Sequence, residues 1–269
     1  MATIDGIMSS MEIFGYCLAL AMGVVLGVFG GGGSILSVPI FLYCFHMNAF
    51  EATTFSLLVV SLACSFASLR AMKSGLVDFK SALYFSIPSF LSVTLMRSYL
   101  LKMIPAYFEV FSFSMSKDTL IISSFSIVMF VSGMQMILKS NEKETSGQDF
   151  KPVSLIVVGF LIGLLTGFIG AGGGFLIVPA LSLLIGLPIK RAIGTSFFII
   201  SMKTLIGFLS SLSSIEEIRY EMLTLFVFLA LIGVFFGQKL SKRLDVIKLK
   251  KMFGAFVLIM SLFTFLMQI

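Results

Sequence analysis

Ten apolar runs separated by short polar segments constrain this chain more than any other feature. They fall at about residues 11–30, 34–47, 52–69, 81–96, 119–138, 153–171, 174–189, 192–212, 222–238 and 252–268. A helix rises about 1.5 Å per residue, so about 20 apolar residues cross the roughly 30 Å hydrocarbon core of a bilayer. Several runs reach that length. A backbone in lipid must satisfy its own N–H and C=O groups, so runs of this kind fold as helices. Only 12% of the residues are charged and 58% are hydrophobic, against roughly 25% charged in a soluble domain. There are too few polar side chains to cover a water-facing surface, which excludes a cytosolic enzyme, an extracellular module and a disordered chain. The fold class predicted is an all-α integral membrane protein, whose first partner is the lipid bilayer.

The remaining residues narrow the function. The net charge of +6 comes from short basic segments between apolar runs, where it sets topology against anionic lipid and gives no sign of nucleic-acid binding. Cys17, Cys44 and Cys64 all lie in apolar runs at spacings that match neither a zinc site nor a redox pair, so packing is their expected role. One histidine and three scattered cysteines cannot supply a metal-ligand set. No metal or cofactor is expected, and the lack of a nucleophile elbow or nucleotide-binding loop argues against an enzyme or an ATP-driven pump. The first ten residues carry no Lys or Arg, so a cleaved signal peptide is not expected.

The most hydrophilic stretch, residues 139–152, divides the chain into an N-terminal half, 1–138, and a C-terminal half, 153–269. The halves repeat. A shift of 140 positions lays Gly23–Pro39 on Gly163–Pro179 with Gly23, Gly27, Gly30, Gly32, Gly33, Leu36, Val38 and Pro39 identical, and then pairs Ala52 with Ala192, Ser56 with Ser196 and Ser61 with Ser201. An ungapped register over such a length indicates duplication. The second and seventh runs are too short to cross, about 21 and 24 Å as helices. Each contains a proline and follows a glycine cluster, the pattern of a broken or re-entrant helix.

With about five segments per half, an odd number, the second repeat is expected to be inverted relative to the first. Placing the basic segment Lys239–Lys251 in the cytoplasm puts both termini outside and gathers Arg70, Lys73, Lys80, Lys190 and Arg191 inside. Were each glycine-linked pair to cross only once, Lys190 and Arg191 would instead face away from residues 70–80.

The glycine clusters are the strongest candidates for chemistry. Gly30, Gly31, Gly32 and Gly33 lead into Ser34 and Pro39, and Gly170, Gly172, Gly173 and Gly174 lead into Pro179. Successive residues without side chains let backbone N–H groups and the positive end of the short helix face a small anionic substrate. The pairs Gly23-x3-Gly27 and Gly163-x3-Gly167 are expected to serve close helix packing. Gly194, Thr195 and Ser196, with Ser56 in the first repeat, would add hydroxyl donors and close backbone approach, although membrane hydroxyls also bond back to their own helix. Lys203 stands mid-run, seven residues after Ser196, where a charge is costly and marks a functional groove unless it snorkels. His46 beside Glu51 is a candidate proton relay, or else a hydrogen-bonded structural residue.

The duplicated G-x3-G-x2-G-x-G-G-x4-V-P motif followed by RAIGTSFFII (Arg191–Ile200) resembles the TauE/SafE sulfite exporter family, also called the toluene sulfonate uptake permease family. The resemblance covers both halves. It implies a bacterial-type inner-membrane transporter of sulfite, sulfonates or similar anions. The first repeat departs from the pattern, with EATTFS (Glu51–Ser56) in place of RAIGTS, so unequal contributions from the two halves are expected. A secondary active transporter working by alternating access follows, coupled to a proton or sodium gradient or driven by the potential. The alternatives are a passive anion channel and a scaffold subunit whose glycines serve packing alone.

Overall fold

The structure, a computed structural model, describes residues 10–47, 49–96, 107–110, 113–138, 152–169, 174–211 and 219–266. In chain order the described helices are α1 (Ser10–Phe29), α2 (Ser34–Cys44), α3 (Ala49–Lys73), α4 (Phe79–Leu95), α5 (Lys117–Leu138), α6 (Pro152–Ile169), α7 (Gly174–Pro179), α8 (Ile189–Ser211), α9 (Tyr220–Arg243) and α10 (Val246–Leu266). Each falls on one of the ten apolar runs. A short antiparallel hairpin, β1 (Tyr107–Val110) and β2 (Phe113–Ser116), precedes α5. It occupies the gap between the fourth and fifth runs and holds the only strands among the described residues.

Among those residues, α1, α3, α8 and α9 carry stretches long and apolar enough to cross a membrane, and Pro152–Thr166 of α6 is a shorter apolar stretch. The distribution of side chains matches a bilayer as solvent. Phe14, Leu91 and Ile259 are 57, 61 and 67% exposed on the outside, while Ser37, Thr195 and Ser196 are fully buried. Lipid rewards apolar atoms facing outward and leaves polar ones to find partners inside. The chain is a multi-pass membrane protein.

Local chemistry sets the helix ends. Asp78 caps α4 by accepting from the N–H groups of Lys80 and Ser81 at 3.1 and 3.2 Å. Pro179 ends α7, and the next turn, Ala180–Leu184, widens to a π-helix in which the Ile185 N–H reaches back to the Ala180 carbonyl at 3.2 Å. A proline removes one rung of the α ladder and crowds the preceding turn, which favours such a widened turn.

The main pairings are α1 with α9, α4 with α6, α3 with α8, and α5 with α10. Exchanging each helix for its counterpart five places along returns the same set of pairs. Small residues bring the backbones together. A side chain at Gly23 or Gly27 would strike the carbonyl of Ala230 or Val234 on α9, and one at Gly233 or Gly237 would strike that of Leu20 or Val24 on α1. Gly163 abuts Ser89 and Ser92 on α4 in the same way. The packing role expected of these glycines is what the structure gives them.

Candidate functional site

The turn between α1 and α2 is built from Gly30–Gly33, and each glycine is buried against a different neighbour. Gly30 has φ +84°, and a β-carbon there would lie 2.6 Å from Ser196 Oγ and 2.9 Å from Val178. The left-handed backbone and the crowding both require glycine. A β-carbon at Gly33 would lie 2.6 Å from the Met22 carbonyl and 2.8 Å from the Leu26 nitrogen of α1. Gly32 faces only the ring edges of Phe253 and Phe256. Across the repeat boundary, a β-carbon at Gly174 would come within 3.2 Å of both Gly31 Cα and Ser34 Oγ. The beginnings of α2 and α7 therefore abut, one from each half of the chain. Gly170, Gly172 and Gly173 lie outside the described residues.

Some donors expected to face a ligand are spent inside the turn. The Gly30 N–H bonds to the Leu26 carbonyl at 2.9 Å, and the Ser34 N–H and hydroxyl both reach the Gly31 carbonyl, at 3.2 and 2.7 Å. The Leu36 N–H takes the Gly33 carbonyl at 3.1 Å. The N–H groups at issue for an anion are thus those of Gly31, Gly32 and Gly33. Beneath the turn, Ser37 Oγ donates to the Ser34 carbonyl at 2.8 Å and sits 2.5 Å from Ser56 Oγ of α3. Pro39 lies within α2 and Pro179 closes α7.

The start of α8 is tied into the protein. Gly194 lets the backbone of Leu76 approach, since a β-carbon there would lie 2.5 Å from its carbonyl. Thr195 Oγ1 accepts from the Asp78 N–H at 3.0 Å, fastening α8 to the cap of α4. Ser196 Oγ donates to the Ile193 carbonyl at 2.8 Å and fills the space behind Gly30. Two turns on, the Lys203 ammonium donates to Thr166 Oγ1 of α6 at 2.6 Å. Lys203 is half-buried, with its side chain reaching inward. Thr166 itself stands four residues before the second glycine cluster. His46 ends α2 in left-handed backbone, φ +51°, with an exposed side chain, and Glu51 is half-buried in the first turn of α3. Among the described residues no group of His, Cys, Asp or Glu side chains could hold a metal ion.

The sequence pattern described as Sulfite exporter TauE/SafE matches residues 16–264, nearly the whole chain. The chain belongs to the TauE/SafE family. Its relatives include the "Probable membrane transporter protein YunE" of Bacillus subtilis, 28% identical over 253 residues that make up 85% of this chain and 86% of the relative. A "Probable membrane transporter protein" of Xylella fastidiosa is 28% identical over 90% of both chains. One of the same description from Haemophilus influenzae is 25% identical over 91% of this chain and 94% of its own. This TauE/SafE chain is accordingly a membrane transporter.

Four residues around these turns and helix starts escape a reading of the sequence. Ser37 is replaced by Ile177 in the second repeat, so the duplication hides it. Thr166 corresponds to Leu26 for the same reason. Asp78 acts through its backbone N–H on Thr195, a contact with no sequence signature. Ser61 aligns with Ser201 but differs in use. Its hydroxyl is buried without a hydrogen-bond partner among the described residues, whereas Ser201 Oγ donates to the Phe198 carbonyl at 2.8 Å. An unpartnered buried hydroxyl costs about 1–3 kcal/mol, so its place on α3 beside α8 is itself a pointer to a ligand or water.

Proposed function

We propose that this chain is a secondary active transporter of sulfur-containing anions, sulfite and sulfonates among them, that works by alternating access in a bacterial-type inner membrane. One observation carries the proposal. The first glycine turn abuts the start of α7 at Gly31 and Gly174, beside the buried hydroxyls of Ser34, Ser37, Ser56 and Ser196, inside a bundle whose outside is apolar. The family description, sulfite exporter, supports the substrate class.

The N–H groups of Gly31, Gly32 and Gly33 and nearby hydroxyls would replace part of the hydration shell of an oxyanion. Gly170, Gly172 and Gly173 would supply the matching turn. Lys203 would balance the anion's charge, exchanging its bond to Thr166 for one to substrate. Because the helix pairings survive exchange of the halves, rocking one half against the other would open the same site to either side. Coupling to protons or sodium, or to the potential, would drive accumulation, with His46 and Glu51 as the proton route. The shared cavity of Arg70, Lys190 and Lys242 supports an inverted arrangement with both termini outside, since it gathers basic residues of both halves at one end of the bundle.

Uptake by proteoliposomes of purified protein, over sulfite, sulfate, thiosulfate, sulfoacetate and chloride, with and without a pH gradient, tests this. Saturable counterflow of a sulfur anion is expected. Flux that follows voltage without saturating would mean a channel, and no flux from folded protein would sink the proposal. Cysteine labelling at positions 73 and 216 tests inversion, which fails if both react from the same side.

A further inference from the structure

At the end of the bundle where α3 and α9 finish and α8 begins, a cavity of about 40 Å³ is lined by Arg70, Lys190 and Lys242 together with Gly194, Gln238 and Ser241. One water needs about 10–15 Å³ of such space, so the cavity admits a small oxyanion or about three waters. No carboxylate lines it. The nearest acid on the neighbouring α3–α4 loop, Asp78, has both oxygens engaged in the cap, Oδ1 by the N–H groups of Lys80 and Ser81 and Oδ2 by the Ser81 hydroxyl at 2.9 Å.

The Arg70 guanidinium lies over the Phe235 ring at 4.3 Å, which fixes its plane. Its Nη1 is buried and has no hydrogen-bond partner among the described residues. Gln238 donates to the Ala67 carbonyl at 2.8 Å, leaving its Oε1 buried and also unpartnered. Lys242 donates to Ser74 Oγ at 3.1 Å. Arg70 and Lys190 are half-buried and Lys242 is exposed at the cavity rim, and a buried guanidinium N–H without an acceptor is costly.

We propose that this cavity is an oxyanion-binding vestibule, distinct from the glycine turns. Arg70 Nη1 and the two lysines hold the anion, and Gln238 Oε1 accepts from a water carried in with it. The anion is either a free oxyanion or the phosphate of an anionic lipid. In the other half, the residues matching Lys190 and Arg70 are Phe50 and Ser210. Two of its three cations therefore have no counterpart in the other half, where only Lys102 matches Lys242, and the vestibule raises the local anion concentration on its own side of the membrane. As a transport device it rests on the transporter proposal, but as a binding site it does not.

Ser241→Cys places a thiol in the cavity wall. Its modification by the anionic sulfonatoethyl and the cationic trimethylammonioethyl methanethiosulfonates is followed by peptide mass spectrometry, in phosphatidylcholine nanodiscs. The anionic reagent is expected to react about tenfold faster, and Arg70→Gln to erase most of that preference. Lys190→Gln with Lys242→Gln keeps the contact with Phe235 and must lower the preference too, so a folding defect in the arginine variant leaves the test intact. Equal rates in the parent protein, or a preference unmoved by the lysine pair, overturn the proposal.

Protection by added sulfate, sulfite or phosphate assigns the site to a free oxyanion. Protection seen only with phosphatidylglycerol in the disc assigns it to lipid, and no protection by either overturns it. A charge preference in protein that moves no sulfur anion leaves the vestibule standing and removes the substrate class. Transport undiminished in protein with a neutral cavity keeps the substrate class and removes the vestibule's part in transport.

Discussion

The two glycine-to-proline segments, Gly30–Pro39 and Gly170–Pro179, share glycines and a proline in sequence, and the helices that follow them differ. After the first turn comes an eleven-residue helix, α2, whose Ser34 and Ser37 link to Ser56 of α3. The corresponding positions in the second half are Gly174, Ile177 and Ser196. The helix there lasts six residues, ending at Pro179, and passes into a π-helical turn, and Leu176, Ile177 and Val178 are all buried. The two segments keep matching glycines and a proline and differ in their polar side chains. One half supplies most of the hydroxyls, and the other supplies Lys203 and the surface on which the first turn rests.

The largest expected effect comes from Gly33→Ala. Its new methyl would meet the main chain of Met22 and Leu26, which cannot swing aside, and overpacking of this kind costs about 1–3 kcal/mol or more. Loss of the monodisperse peak in fluorescence-detected size exclusion is expected. Gly32→Ala should fold, because its methyl meets only the Phe256 ring edge at 3.1 Å, and should lose uptake instead. If both variants fold and transport normally, the glycines are ordinary turn residues.

Lys203→Met comes next. Charged hydrogen bonds contribute about 1.5–3 kcal/mol, so an affinity loss of about tenfold or more is expected in uptake, with Thr166→Val causing a smaller loss. Normal uptake by the methionine variant would remove Lys203 from the site. Within the hydroxyl set, Ser37→Ala strands the buried Ser56 hydroxyl, at about 1–3 kcal/mol, whereas Ser56→Ala leaves Ser37 Oγ its bond to the Ser34 carbonyl and costs less. Ser196→Ala releases only a carbonyl already inside a helix, at less than about 1 kcal/mol. The order of melting temperatures checks the asymmetry, and equal losses would contradict it. The smallest effect is expected from Pro179→Ala, which restores one N–H to the ladder. Its melting temperature should move by only a few degrees, while hydrogen exchange over residues 180–187 should slow as the π-turn tightens.

Much of the architecture is legible in the residues because a bilayer leaves few choices. Each apolar run must be a helix, so the ten runs become ten described helices, and the placement of Ser34 after the glycines marks the start of α2. Close helix packing at Gly23 and Gly27 follows from the absence of side chains. The hairpin strands Tyr107–Val110 and Phe113–Ser116 are four residues each, and their aromatic and alternating pattern is too short to stand out beside ten long apolar runs.

The sequence by itself determined the solvent, the helices and the family, because each depends on local spacing or on identity at matching positions. The tertiary structure alone decided that Gly31 meets Gly174, that Thr195 is held by the main chain of Asp78, that Lys203 bonds Thr166, and that Arg70, Lys190 and Lys242 share a cavity. Those contacts join residues far apart in the chain. Their energy depends on distance in space, which no spacing along the sequence records.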